Sequence, residues 1–156
     1  MLISLILLAV LTFFVNYSCA LVAKNQWQKI ARRNRERMRL IGQESFVETA
    51  GIALEFSPVD EGLFRNNWFS GLNQPNTSTT EKLSNYGQGI IKGPRYTEAL
   101  HLSTQYDIGD QLFFTNSLPY ARRLEYGHSQ QAPNGMVRIA AAQWTYIVAR
   151  LARKIR

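Results

Sequence analysis

Val137, Ala140, Ala141, Trp144, Ile147, Val148, Leu151 and Ile155 recur at helical spacing, while Arg138, Arg150, Arg153, Lys154 and Arg156 fall on the opposite face. No other stretch constrains the fold so strongly, because a helix with one apolar side needs a surface to lie on. Its cations sit toward the C-terminus, where they complement the helix dipole. Docking on a membrane surface is the rarer use of such a helix, so packing against a sheet is expected. Three stretches qualify as strands: Leu63 to Leu72, with Phe64, Trp68 and Phe69 available for burial, a short Ile90-Ile91, and Gln111 to Thr115, entered through the turn Ile108-Gly109-Asp110. A helical turn is expected near Tyr96 to Thr104. The fold class is therefore α+β, with a small, mostly antiparallel sheet under an amphipathic C-terminal helix.

A long helix precedes the sheet. No proline occurs from Gln26 to Phe56 and good helix formers dominate. At 100° per residue, Trp27, Ile30, Ala31, Met38 and Ile41 share one stripe, whereas Leu40, Phe46, Val47, Ala50 and Leu54 lie nearly opposite. Gly42 sits at the crossover, so either the helix breaks there or its halves bury against different things. Ser57-Pro58-Val59-Asp60-Glu61-Gly62 ends it, since a residue before proline is pushed out of the α region and Gly62 permits a turn.

Charge is distributed unevenly over these elements. The net value is +7, yet residues 24–39 hold seven basic groups and one acid, residues 138–156 hold five basic groups and no acid, and the remainder is −4. Such ends suit DNA phosphates, anionic lipid or an acidic protein neighbour, and equally a plain solvated helix face. Residues 1–23 carry no charge at all. They read as a signal peptide, as a membrane anchor followed by the positive flank Lys24 to Arg39, or as the product of a start assigned too far upstream, with Leu21 or Val22 as the true start; the last is favoured. The division is thus an apolar segment, 1–23, and a single domain, 24–156.

One cysteine and two histidines cannot build a Cys/His zinc site, and one cysteine excludes a disulfide within the chain. Glu125 with His128, or Asp107 with Asp110, have the residue types of acid/base pairs, but neither completes a nucleophile, base and orienting group. Hydrogen bonds tying a loop in place are the expected role of Glu125 and His128. Gly87-Gln88-Gly89 lacks the spacing of a phosphate loop. Polar, turn-rich residues 74–85 are expected to be a mobile loop, ordering on contact with a neighbour.

Two segments resemble a known pattern. SPVDEGLFRNNW, Ser57 to Trp68, and NSLPYARRLEYGHSQQAPNGMVR, Asn116 to Arg138, are similar to the paired signatures of the neck, tail-completion or "putative tail component" proteins of tailed double-stranded DNA bacteriophages. The resemblance spans residues 24–156, in the same order, with a long helix before the first signature and a helix after the second. Glu61 stands where threonine is usual, and Phe64 and Asn67 replace the typical leucine and serine. Residues 1–23 have no counterpart.

The resemblance implies a structural virion protein without enzymatic activity or cofactor, a ring-forming subunit at the head-tail joint, assembled in the host cytoplasm. Its implied partners are further copies of itself and other neck and tail proteins. The punctuated stretch around Tyr120 to Ser129, with the Asp60-Gly62 turn, is the expected subunit interface: Asp60, Gly62, Tyr120, Arg122, Arg123, Glu125, His128 and Ser129. Arg32, Arg33, Arg35, Arg37 and Arg39 are the expected DNA-facing set, making non-specific contact with packaged DNA across a lumen. A membrane-anchored phage or envelope protein using residues 1–20 as a span is the alternative, and a basic DNA-binding module a weaker one.

Overall fold

A computed structural model describes residues 2–83 and 92–155, with side chains placed from residue 21 onward. The elements run α1 (Leu2–Glu55), α2 (Leu63–Asn66), β1 (Trp68–Leu72), α3 (Pro94–Ser103), β2 (Leu112–Asn116), α4 (Ala121–Glu125) and α5 (Val137–Lys154). By internal contacts the chain divides into Met1–Arg37 and Met38–Arg156. The fold is α+β: a long N-terminal helix, a two-stranded antiparallel sheet and a C-terminal helix packed on the other elements.

Helix α1 runs through Gly42 without a break. That glycine serves packing, since a Cβ there would lie 2.7 Å from the Tyr106 ring. Beyond it the second stripe does what its spacing promised: Phe46, Val47, Ala50 and Leu54 are buried, joined by Ala53. Each large side chain so buried contributes about 1.5–3 kcal/mol. The stop at Ser57-Pro58 is reinforced by the Ser57 hydroxyl, which donates to Ala53 O at 2.7 Å and accepts from Trp68 Nε1 at 2.9 Å.

The stretch expected as one strand, 63–72, is half helix. Gly62 takes φ +83°, a left-handed turn that only glycine adopts cheaply, and from it residues 63–66 coil into α2 before β1 begins at Trp68. Asn67 fixes the junction. Fully buried, its amide donates to Leu63 O and Thr80 O and accepts from Thr80 N, each at 2.8 Å. An amide has the two donors and the acceptor this requires, whereas a serine hydroxyl has a single donor. Further bonds hold residues 74–83 of the segment expected to be a mobile loop: Asn66 Nδ2 donates to Lys82 O, Asn76 Nδ2 to Ser70 O, and the Thr115 hydroxyl to Asn76 O, while residues 84–85 lie outside the described residues. Ile90-Ile91 and Gly87-Gln88-Gly89 lie outside the described residues.

Strand β1 pairs antiparallel with β2 in the register Trp68↔Asn116 to Leu72↔Leu112. Trp68 stacks on Phe114 with ring centroids 4.9 Å apart and meets Phe64 edge-on at 6.0 Å. Helix α3 spans the expected helical turn, starting at Pro94, whose fixed φ suits a first helical position. Arg95 fastens it to the sheet, lying 3.9 Å over the Phe69 ring, bonded to Asn66 O at 2.8 Å and paired with Glu98 at 2.6 Å. Helix α5 packs on the other elements through Ala140 and, just before it, Met136, which share a core with Trp68, Phe64, Ala53 and Leu54, and an Arg150–Glu48 ion pair ties it to α1. Only part of its apolar stripe is covered. Ala140, Ile147 and Leu151 are buried, while Val137, Ala141 and Trp144 remain exposed.

Candidate assembly surface

The two sequence signatures converge in space. Gln131 clasps the backbone of Val59 at both ends of its amide, accepting from Val59 N at 2.8 Å and donating to Val59 O at 3.1 Å. Asn116 Nδ2 donates to Phe64 O at 2.8 Å, and the Phe64 and Tyr120 rings lie 6.1 Å apart. Between the segments is a cleft of about 480 Å³. Of the expected interface residues, Asp60, Gly62, Tyr120, His128 and Ser129 line it, together with Glu61. Burial raises the Tyr120 phenol above its ordinary pKa, so it stays neutral and able to donate. His128 Nδ1 lies 3.0 Å from Arg123 O; a carbonyl only accepts, so this nitrogen carries the proton.

Arg122, Arg123 and Glu125 do not line that cleft. Arg122 and Arg123 are exposed on α4, with the Arg122 guanidinium 5.9 Å from the Tyr126 ring and Arg138 5.2 Å from the same ring. Arg32, Arg33 and Arg35 are exposed on α1, and Arg37 and Arg39 are half-buried. Among the described residues, no three or more His, Cys, Asp or Glu side chains gather as a metal site.

Glu125 turns inward, to the start of α5. That helix opens at Met136 with no side-chain cap of its own, leaving orphan N–H groups. The Glu125 carboxylate accepts from Met136 N, Val137 N and Arg138 N, each at 2.9 Å, and pairs with Arg138 Nε at 3.3 Å. Burial by itself raises the Glu125 pKa, but the backbone bonds from Val137, Arg138 and Met136, with the Arg138 side chain, outweigh it and leave the net value lowered. A lowered folded pKa means stability that is full above the unfolded glutamate value and lost as pH falls through the folded one. Glu125→Gln is therefore expected to destabilise the protein by roughly 1–2 kcal/mol at neutral pH. The gap from the parent should narrow as pH drops below about 4; thermal melts at pH 7 and pH 3 check this, and a gap independent of pH would remove the charged-cap assignment.

Residue spacing did not point to Gln131 or to the capping role of Glu125. A usable signal existed for the second: the helix start after Pro133-Asn134-Gly135 has no Ser, Thr, Asp or Asn at Met136, so its cap had to come from elsewhere.

Among the described residues no helix is long and apolar enough to cross a membrane, and the side chains of the apolar run 1–20 lie outside them. Comparison with protein-family models, with curated proteins and with solved structures finds no match to this chain.

Proposed function

We propose that this chain is a non-enzymatic structural subunit of a tailed-phage virion that forms a ring at the head-tail joint, in the neck or tail-completion position. One observation carries the reading: the two segments that resemble the phage signatures, far apart in sequence, are clasped together by Gln131 and Val59 around a cleft that both of them line. Residues brought together in this way form a recognition surface, and acids at its mouth (Asp60, Glu61) suit a basic neighbour. Ring assembly needs one surface to meet a different surface on the next copy, and a chain with basic ends and an acidic middle has that asymmetry. The basic first part of α1 suits sequence-independent contact with DNA in a lumen.

The charge-free residues 1–23 followed by a basic flank favour a second reading, a membrane-anchored phage or envelope protein. Mass spectrometry of purified particles and of host membranes separates the two. The expected result is the protein in particles, with ring-shaped density at the neck on imaging. Recovery from host membranes with none in particles overturns the neck reading.

A further inference from the structure

Among the described residues, one convex and one concave apolar surface stand out as uncovered. The convex one is on α1: Ala23, Trp27, Ile30 and Ala31 follow the i, i+4, i+7, i+8 spacing of one helix face, and Trp27 and Ile30 are 71% and 50% exposed. The concave one is a groove of about 570 Å³ within the unit Met38–Arg156, formed by Phe46, Leu112, Phe114, Val137, Ala141 and Trp144. Val137 and Trp144, 48% and 43% exposed, are the part of the α5 stripe that the chain's own core leaves bare.

We propose that residues 23–31 of one copy seat in this groove on the next copy, with Trp27 packed beside Trp144. The proposal rests on the ring reading and gives that ring its main contact. Helices laid into apolar grooves use anchors at this spacing. A knob and a groove on different parts of one chain make a head-to-tail contact, which closes into a ring or runs on as a filament.

Charge selects a second copy as the occupant. Among the described residues, no lysine or arginine lines the groove, and the one charged residue that does is Asp110, held by Asn73 Nδ2 at 3.0 Å. The incoming helix carries Lys24 beside its apolar face, within a stretch of seven basic groups and one acid. A basic helix thus meets an apolar groove whose charged lining residue is an acid.

Cysteine cross-linking of full-length chains tests this. Cys19 is the sole cysteine, so in a Cys19→Ser background one tagged chain carries Ile30→Cys and a second, differently tagged, carries Ala141→Cys. Both positions are exposed, where substitutions leave stability nearly unchanged. On co-expression and oxidation with copper phenanthroline, the mixed dimer is expected to dominate both homodimers, and Trp27→Asp is expected to reduce it by about tenfold or more. Oligomers that give no mixed cross-link, or Ile30→Cys chains that cross-link to each other instead, overturn the inference and leave the ring reading standing. A strong mixed cross-link in a protein absent from phage particles supports the contact while overturning the virion reading.

Discussion

Trp68→Ala is expected to cost about 4 kcal/mol of unfolding free energy and to lower the melting temperature by roughly 10 °C. Trp68 ends the first of the two segments that resemble phage signatures, and under the proposed assembly reading it invites an interface role. Its surroundings say otherwise. The indole is buried, stacked on Phe114, edge-on to Phe64, and bonded through Nε1 to Ser57. Truncation would open a cavity where α1, β1, β2 and α5 meet. Trp68→Phe keeps an aromatic ring and gives up the indole bond, so a loss of about 1 kcal/mol is expected. Thermal and denaturant melts of both variants check the pair. A Trp68→Ala protein that melts like the parent but fails to assemble would move this residue from core to interface.

The second large effect is expected at Gly135. It has φ +74°, and a Cβ there would lie 2.4 Å from Glu125 O and 2.5 Å from Glu125 Oε1. Gly135→Ala therefore combines backbone strain with displacement of the carboxylate that caps α5, and a loss of roughly 3 kcal/mol is expected. Its signature is coupling. In the Glu125→Gln background the same substitution should cost less, because the cap is already weakened, and a double-mutant cycle measures the difference. Full additivity would show that Gly135 acts by its backbone conformation alone.

The periodic parts of this fold were legible in the sequence. The second stripe of α1, the α5 face and the strand that ends at Asn116 follow from side-chain pattern, because burial on one side of an element leaves a repeating mark, whereas Trp27, Ile30 and Met38 of the first α1 stripe stand exposed. What spacing does not record is how a polar group finds a distant partner. Residues 63–66 have strand-like composition, yet Gly62 and the bonds of Asn67 to Leu63 and Thr80 coil them into a helix. Residues 74–83 are polar and rich in turn formers, and the same kind of bond pins them. The expected interface split for this reason too. Asp60, Gly62, Tyr120, His128 and Ser129 face one cleft, while Glu125, adjacent in sequence, is drawn off by the uncapped end of α5. Three of the eight residues of the α5 stripe lack a cover, a fact invisible to periodicity, which marks a face as apolar without saying whose side chains meet it.

The Gln131 clasp on Val59 joins positions 72 residues apart. Contacts of such separation form late, since the chain between them must first give up its freedom. A growing polypeptide has Asp60 and Gly62 long before Tyr120 and Ser129, so it carries only one side of the cleft. The complete surface comes into being only when the downstream segment has folded back onto the turn after α1. Under the assembly role proposed above, recognition by a neighbour would then double as proofreading: only a finished subunit would be admitted, and a chain broken between the two positions would be left out without any dedicated checkpoint.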